Sequence, residues 1–94
     1  MMNNKILIEV NVPIIEEVYN VFVPASKTVY QVTQLLKKSI GELTDGAYED
    51  TNDAVLYDAR GNEIPSSLII KDSGITNGSD VILIWWEVKV WIQM

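Results

Sequence analysis

Residues 70–86 read I-K-D-S-G-I-T-N-G-S-D-V-I-L-I-W-W, and this stretch decides how the chain folds. Gly74 and Gly78 can take positive φ at no steric cost, and Asn77 tolerates it, so the segment predicts a tight turn. The apolar run that follows predicts a strand. Over residues 81–92 this strand would be about 40 Å long at ~3.3 Å per residue, whereas strands usually run about 5–6 residues. The pattern therefore predicts a last strand that extends beyond its own sheet.

The two faces of this last strand differ in character. Its odd positions begin apolar and then become charged, as in a strand that leaves a core: Val81, Leu83, Trp85, Glu87, Lys89 and Trp91. Its even positions stay apolar throughout: Ile82, Ile84, Trp86, Val88, Val90 and Ile92. We expect the odd face to lie against the core and the even face to point away, exposing more apolar area than soluble monomers usually tolerate. The alternative is packing within the chain, for instance Trp86 on Phe22.

The preceding sequence predicts two strands, a helix and a short third strand. Apolar residues recur at every second position over residues 6–12 and again over residues 19–23, which predicts an antiparallel hairpin. Thr28 and Gln31 have the spacing of a capping box and predict a helix start. An apolar stripe follows at helical spacing, with Gly41 as the expected stop. The stripe consists of Val29, Val32, Leu35, Leu36 and Ile40, with Gln31, Gln34, Lys37 and Lys38 on the other side.

Residues 54–58 form the predicted third strand, after an acidic loop at residues 43–53. We expect Val55 and Tyr57 to face the helix, and Leu56 to lie on the outer face beside Ile82 and Ile84. The predicted core comprises Ile6, Ile8, Val10, Val21, Val23, Val29, Val32, Leu36, Val55, Tyr57, Ile70, Ile75, Val81 and Leu83.

Composition excludes several classes of function. The chain has 94 residues, enough for one domain, with a formal net charge of −6 and no cysteine or histidine. The negative charge argues against binding a nucleic-acid backbone. The absence of cysteine and histidine excludes disulfides, common zinc sites and cysteine nucleophiles. No signal peptide or membrane span is evident, so we expect a cytoplasmic protein.

Polar residues that could suggest chemistry have simpler explanations. The acidic loop lacks the ligand pattern of an EF-hand, and the sequon that begins at Asn77 fits a turn. The pairs Asp72 with Ser73 and Asp58 with Arg60 have no base partner or cleft, so turn capping is expected of them. The sequence predicts no catalytic, cofactor-binding or metal-binding residue, and no enzyme.

Residues 70–78, I-K-D-S-G-I-T-N-G, also carry a family resemblance. They are similar to the L-S-D-x-G-I-T-N-G-D segment that precedes the last strand in the YukD/EsaB proteins of type VII secretion systems of Gram-positive bacteria. Those proteins belong to the ubiquitin superfamily, and the resemblance covers about residues 5–84. It implies an α+β fold, a ubiquitin-like β-grasp, with a mixed sheet of four to five strands and one main helix packed across it. The last strand would enter the sheet between the first and third strands, parallel to the first.

The resemblance also bears on function and organisation. Residues 1–84 would form the ubiquitin-like domain and residues 85–94 an extension of its last strand. The chain has no adjacent glycines, unlike the diglycine of conjugated relatives, so we expect no conjugation. Leu56, Ile82 and Ile84 would correspond to the recognition patch of ubiquitin. The expected partner-binding residues are Leu56, Ile82, Ile84, Trp86, Val88, Val90 and Ile92.

Two hypotheses of function remain. The first is an accessory or regulatory binding component of a type VII secretion system, whose partners would be its membrane subunits or ATPase. The second is a general β-grasp adaptor or structural module that oligomerises through its last strand. Open strand edges recruit other strands, so both allow a symmetric homodimer through residues 81–92. A neighbouring gene for an FtsK-like ATPase or a WXG100 substrate would favour the first.

Overall fold

The computed structural model describes residues 4–44 and 53–86, without the side chain of Trp86. The elements are β1 (Lys5–Val12), β2 (Glu17–Pro24), α1 (Val29–Leu43), β3 (Asp53–Asp58) and β4 (Asp80–Trp86), with 3₁₀ turns at Pro13–Ile15 and Ile70–Asp72. The helix packs across a four-stranded mixed sheet in the order β2-β1-β4-β3, which confirms the predicted ubiquitin-like β-grasp. β4 lies parallel to β1 and antiparallel to β3, and β1 is antiparallel to β2.

The predicted hairpin is present and pairs along its full length. Its register runs from the Lys5–Pro24 pair to the Val12–Glu17 pair. Pro24 ends the strand on the sheet edge, where its missing N–H costs no ladder hydrogen bond. The connecting turn closes at Glu16, which adopts the left-handed conformation with φ 55°.

The capping box at the start of α1 is confirmed. The Gln31 N–H donates to Thr28 Oγ1 at 3.1 Å, and the Thr28 N–H donates to Gln31 Oε1 at 3.0 Å. The prediction that Gly41 stops the helix is wrong. The helix continues through Gly41 to Leu43, and Thr44 caps it by donating its hydroxyl to the Ile40 carbonyl at 2.9 Å. Because the Thr44 side chain binds a terminal carbonyl, no glycine is needed there.

The helix is rotated relative to the predicted stripe. Thr33 and Lys37 lie on the buried side, and Lys37 is only 4% exposed. Leu35, expected inside, is 50% exposed. Leu35 lies at one edge of the predicted stripe and Lys37 lies just beyond its opposite edge, so a modest rotation of the helix exchanges them. A lysine tolerates this position because its long aliphatic stem can be covered by apolar neighbours.

The turn before β4 has the predicted glycine conformations. Gly74 and Gly78 take φ 91° and 88°. Asn77 does not take positive φ; it acts instead through its side chain, whose Oδ1 accepts from the Leu7 N–H at 2.7 Å. The Gly78 N–H donates to the Leu7 carbonyl at 2.7 Å. These bonds hold the turn against β1 and direct β4 into the centre of the sheet.

The core lies between the sheet and the buried side of α1. Most predicted core residues are buried, whereas Ile6 and Val21 are half-buried against the core. The prediction for β3 is wrong in phase. Leu56 is 1% exposed and pairs with Leu83 on the helix-facing side, so Val55 and Tyr57 point outward. The buried apolar residues are Ile8, Val10, Val12, Val23, Val29, Val32, Leu36, Ile40, Leu56, Ile64, Ile70, Ile75, Val81, Leu83 and Trp85.

Candidate protein-binding face

The face of the sheet that points away from α1 carries an apolar strip, which crosses the neighbouring strands β3 and β4. Ile82 lies beside Tyr57, and Ile84 lies beside Val55. These four residues, here called the outer strip, are all half-buried. Side chains paired in this way across two strands form a continuous surface. The outer strip is therefore a continuous, half-buried apolar surface on the outer face of the sheet.

Two carboxylates border the outer strip on the β1 side. Glu9 of β1 and Asp80 of β4 are directly paired in the parallel register, and both are exposed. Like charges in directly paired positions repel one another. A cationic group supplied by a partner would relieve this repulsion, so the strip and the pair together favour an apolar partner surface with a lysine or arginine at its rim.

A second apolar group lies near the hairpin edge of the same face. Leu7 and Phe22 are cross-strand partners, and Phe22 is 63% exposed. Val18 is exposed on the same side of β2, with Asn20 between it and Phe22. The outer face thus presents two apolar areas, with the polar positions of β1 between them.

The structure brings together some of the predicted partner-binding residues and not others. Ile82 and Ile84 lie on the outer face as predicted. Leu56 does not, because its side chain is enclosed in the core beside Leu83. The backbone of Trp86 belongs to β4 and pairs with Asp53. Val88, Val90 and Ile92 lie outside the described residues.

Sequence reasoning missed Val55 and Tyr57 as outer-strip residues. Residues 55–57 form an uninterrupted apolar run, so alternation alone does not determine which side is buried. The register with β4 does determine it, because Leu83 must lie opposite a residue of the same face. The inward side of β4 was predicted correctly. The orientation of β3 would have followed from one further fact, that Leu56 pairs with Leu83.

The polar pairs considered for chemistry make local turn contacts. Asp58 Oδ1 accepts the N–H groups of Arg60 and Asn62, each at 2.9 Å. The bond from the Asn62 N–H is the main cause that lowers the pKa of Asp58 below its usual 3.8. Ser73 donates its hydroxyl to the Ile70 carbonyl at 2.7 Å and accepts the Ile75 N–H at 3.2 Å. These are the contacts that capped turns make.

Within residues 4–44 and 53–86, Asp and Glu side chains form no group of three or more that could hold a metal ion. No helix in the same ranges combines the length and the apolar character needed to cross a membrane.

The chain has a ubiquitin-like fold, which it shares with several solved structures. It superimposes on a chain of the MycP5-free ESX-5 inner membrane complex with a TM-score of 0.74 and 12% identity, covering 98% of this chain and 24% of that one. The ubiquitin-like domain of EccD5 from Mycobacterium xenopi gives 0.67 and 12%, covering 93% and 100%. The corresponding domain of the Mycobacterium tuberculosis type VII secretion protein EccD1 gives 0.65 and 11%, covering 85% and 97%.

These likenesses show the fold alone, since the sequences differ at most positions. The chain spans about a quarter of the length of the ESX-5 chain that it matches. The same fold is found in the N-terminal ubiquitin-like domain of the 4931431F19Rik protein, at a TM-score of 0.66 and 18% identity over 99% of this chain and 86% of that one. No protein-family model matches the sequence, and no curated protein matches it.

Proposed function

We propose that this chain is a non-conjugating ubiquitin-like protein that serves as an accessory or regulatory binding component of a type VII secretion system. In this proposal it resembles the YukD/EsaB proteins and acts in the cytoplasm of a Gram-positive bacterium. The observation that carries the proposal is the outer strip, an apolar surface on a fold that is also found in the ESX-5 inner membrane complex and in EccD domains. The residue pattern at 70–78 supports the same assignment.

Its mechanism is binding, with no chemistry of its own. Burying the outer strip against a partner contributes about 25 cal/mol per Å2 of apolar area, before the costs of association. Glu9 and Asp80 then select the orientation in which a partner lysine or arginine lies over them. The partners that fit are membrane subunits or the ATPase of the secretion apparatus, at surfaces that combine apolar side chains with a basic rim.

The non-conjugating part of the proposal rests on the sequence. Its five glycines are all separated from one another, so the chain offers no diglycine for an activating enzyme. Incubation with cell extract and ATP, followed by mass spectrometry, tests this point. An adenylate, a thiocarboxylate or an isopeptide-linked product would contradict it.

The second candidate function is a β-grasp module that self-associates through its last strand. One observation favours it: the described β1–β4 ladder covers only residues 80–82, whereas β4 continues to Trp86 beside β3. The Pro13–Ile15 turn also contacts β4, so this candidate depends on residues further along the chain. In this proposal, residues beyond Trp86 pair antiparallel with those of a second copy, and Glu87 and Lys89 set the register across the two-fold axis.

A binding experiment tests the leading proposal. Tagged full-length chain is expressed in the source cells, and copurifying proteins are identified after mild crosslinking. Ile84→Asp should remove secretion-system subunits from the purified fraction, because it places a charge in the outer strip. Leu43→Asp is the matched control, since Leu43 is exposed at the far end of α1. Equal recovery of those subunits with both variants would contradict the outer strip as the binding face.

Two further measurements separate the candidates. Neighbouring genes for an FtsK-like ATPase or a WXG100 substrate would support the secretion role. Light scattering of the full chain and of a chain ending at Trp86 tests self-association; the shortened chain retains Trp85, which is buried in the core. Monomers in both samples at high micromolar concentration would exclude the dimer.

A further inference from the structure

The helix surface that faces away from the sheet carries a groove of about 410 Å3. Five of its lining residues lie on one side of α1, and the sixth, Lys27, lies in the turn before it. The five helix residues are Tyr30, Gln31, Gln34, Leu35 and Lys38. Tyr30 is 58% exposed and Leu35 is 50% exposed. A solvent-facing helix surface is normally polar, and Tyr30 and Leu35 place apolar area on this one.

Charge distinguishes this groove from the rest of the molecule. The chain has 13 aspartate and glutamate residues, but residues 18–41 contain none of them. Three lysines lie in the same interval, and two of them, Lys27 and Lys38, line the groove. The outer strip, on the opposite layer of the domain, is bordered by carboxylates instead. The two faces of the domain therefore suit partners of opposite charge.

We propose that the outward face of α1 is a second docking site, and that its occupant is an acidic polypeptide segment with apolar anchor residues. Lys27 and Lys38 bind carboxylates at the two ends of the segment, and Tyr30 and Leu35 contact the apolar side chains between them. The domain then bridges two partners, one on each layer. This inference does not depend on which partner binds the outer strip.

The length of the helix face defines the segment further. The residues of α1 from Val29 to Lys38 span roughly 14 Å at ~1.5 Å per residue, and Lys27 lies in the turn just before them. An extended segment that covers this span and also reaches Lys27 needs about five residues at ~3.3 Å each. Acidic residues about five positions apart, with leucine or an aromatic residue between them, match the groove.

Two other occupants fit the charges less well. An anionic membrane is a broad surface that would meet the repulsion of the whole chain, whose net charge is −6. A short segment contacts only the groove itself, whose charged lining residues are Lys27 and Lys38. A second copy could place its acidic outer face on the groove, but joining opposite layers gives a head-to-tail contact, which builds rings or open filaments and not a symmetric dimer.

A direct binding measurement tests the proposal. The probe is the labelled peptide Glu-Glu-Leu-Ser-Phe-Ser-Glu-Glu, and the reference peptide has glutamine in place of every glutamate. Fluorescence anisotropy with the full chain should show saturable binding of the probe, weakening as salt is added, and much weaker binding of the reference. The double variant Lys27→Glu/Lys38→Glu should weaken probe binding about tenfold, because it replaces two attractions with two repulsions.

Two matched controls isolate the groove. Lys5→Glu/Arg60→Glu makes the same change in net charge outside the groove and should weaken binding less than about twofold. Leu35→Ser should also weaken binding, whereas Leu43→Ser, at another exposed leucine of the same helix, should not. All these positions except Lys5 are on exposed turn or helix surfaces, and thermal unfolding confirms that each variant is folded.

Several results would overturn the proposal. One is absence of saturable probe binding at millimolar peptide. Another is equal weakening by both charge-reversal pairs, which would mean that only net charge matters. A third is binding to anionic phosphatidylglycerol vesicles that the groove variants abolish while peptide binding is unchanged. A concentration-dependent self-association lost only in Lys27→Glu/Lys38→Glu would assign the groove to a second copy.

Discussion

The side chain of Asn77 accepts a hydrogen bond from the backbone N–H of Leu7, 70 positions earlier in the chain, at 2.7 Å. The next residue, Gly78, donates its N–H to the Leu7 carbonyl at 2.7 Å. β4 begins only at Asp80, so Asn77 and Gly78 take the place of a strand neighbour for this part of β1. The turn thereby sets where the last strand enters the sheet.

Removing the Asn77 amide should destabilise the domain at this point. We expect Asn77→Ala to lower the free energy of unfolding by about 0.5–1.5 kcal/mol, the usual net worth of one hydrogen bond. The Leu7 amide should also exchange faster with solvent deuterium. Asn77→Asp keeps an acceptor oxygen and should lose less. If Leu7 exchange is unchanged in Asn77→Ala, the side chain does not hold the turn to β1.

The phase of β3 makes a second prediction. Leu56→Ala should cost about 2–5 kcal/mol of stability, because it opens a cavity opposite Leu83 in the core. Val55→Ala, one position away on the outer strip, should cost much less. Chemical denaturation of both variants measures the difference. A larger loss for Val55→Ala would restore the orientation that the sequence suggested.

Sequence patterns predicted the topology better than the orientation of individual faces. The capping box at Thr28, the glycine turn at 74–78 and the inward phase of β4 were all recognisable, because each depends on local chemistry or on clear alternation. The phase of β3 and the rotation of α1 were not. Both depend on contacts between elements: Leu56 with Leu83 in one case, and the burial of Lys37 in preference to Leu35 in the other.

The candidate binding face was predictable to the same extent. Ile82 and Ile84 followed from alternation within one strand, whereas their neighbours Val55 and Tyr57 required the β3–β4 register. The groove on α1 could not be anticipated from the apolar stripe, which assigned Leu35 to the core. Its basic character, however, is visible in the sequence as the long interval without acidic residues.

The hairpin turn stores backbone strain at Glu16. This residue has φ 55°, a conformation that costs non-glycine residues energy and that asparagine tolerates better. We expect Glu16→Asn to raise the melting temperature, with a gain of up to about 1 kcal/mol. Glu17→Asn removes the same charge from an extended strand position and should bring no such gain. Equal shifts for the two variants would attribute the effect to charge instead.

The turn after β3 gives a prediction for acid pH. Hydrogen bonds from the Asn62 and Arg60 N–H groups lower the pKa of Asp58 below 3.8. A lowered carboxyl pKa stabilises the folded state above the unfolded value, and the contribution disappears as pH falls through the folded value. Carboxyl chemical shifts should therefore place the folded pKa of Asp58 below its value in urea. A folded pKa at or above the urea value would mean that these bonds are absent in solution.

The Glu9–Asp80 pair should lower the stability of the folded chain and strengthen its binding to a partner. Glu9→Gln removes one of two like charges in directly paired positions, so we expect it to stabilise the folded chain by about 0.2–1 kcal/mol. Added salt screens the same repulsion and should reduce the difference between Glu9→Gln and the parent chain. Glu63→Gln, at an exposed position away from this pair, serves as the control for net charge.

Glu9→Gln should also bind more weakly to the secretion-system subunits that copurify with the parent chain, because the partner's cation loses half of its counter-charge. A variant that is both more stable and bound at full strength would show that the carboxylates repel each other without serving the binding face.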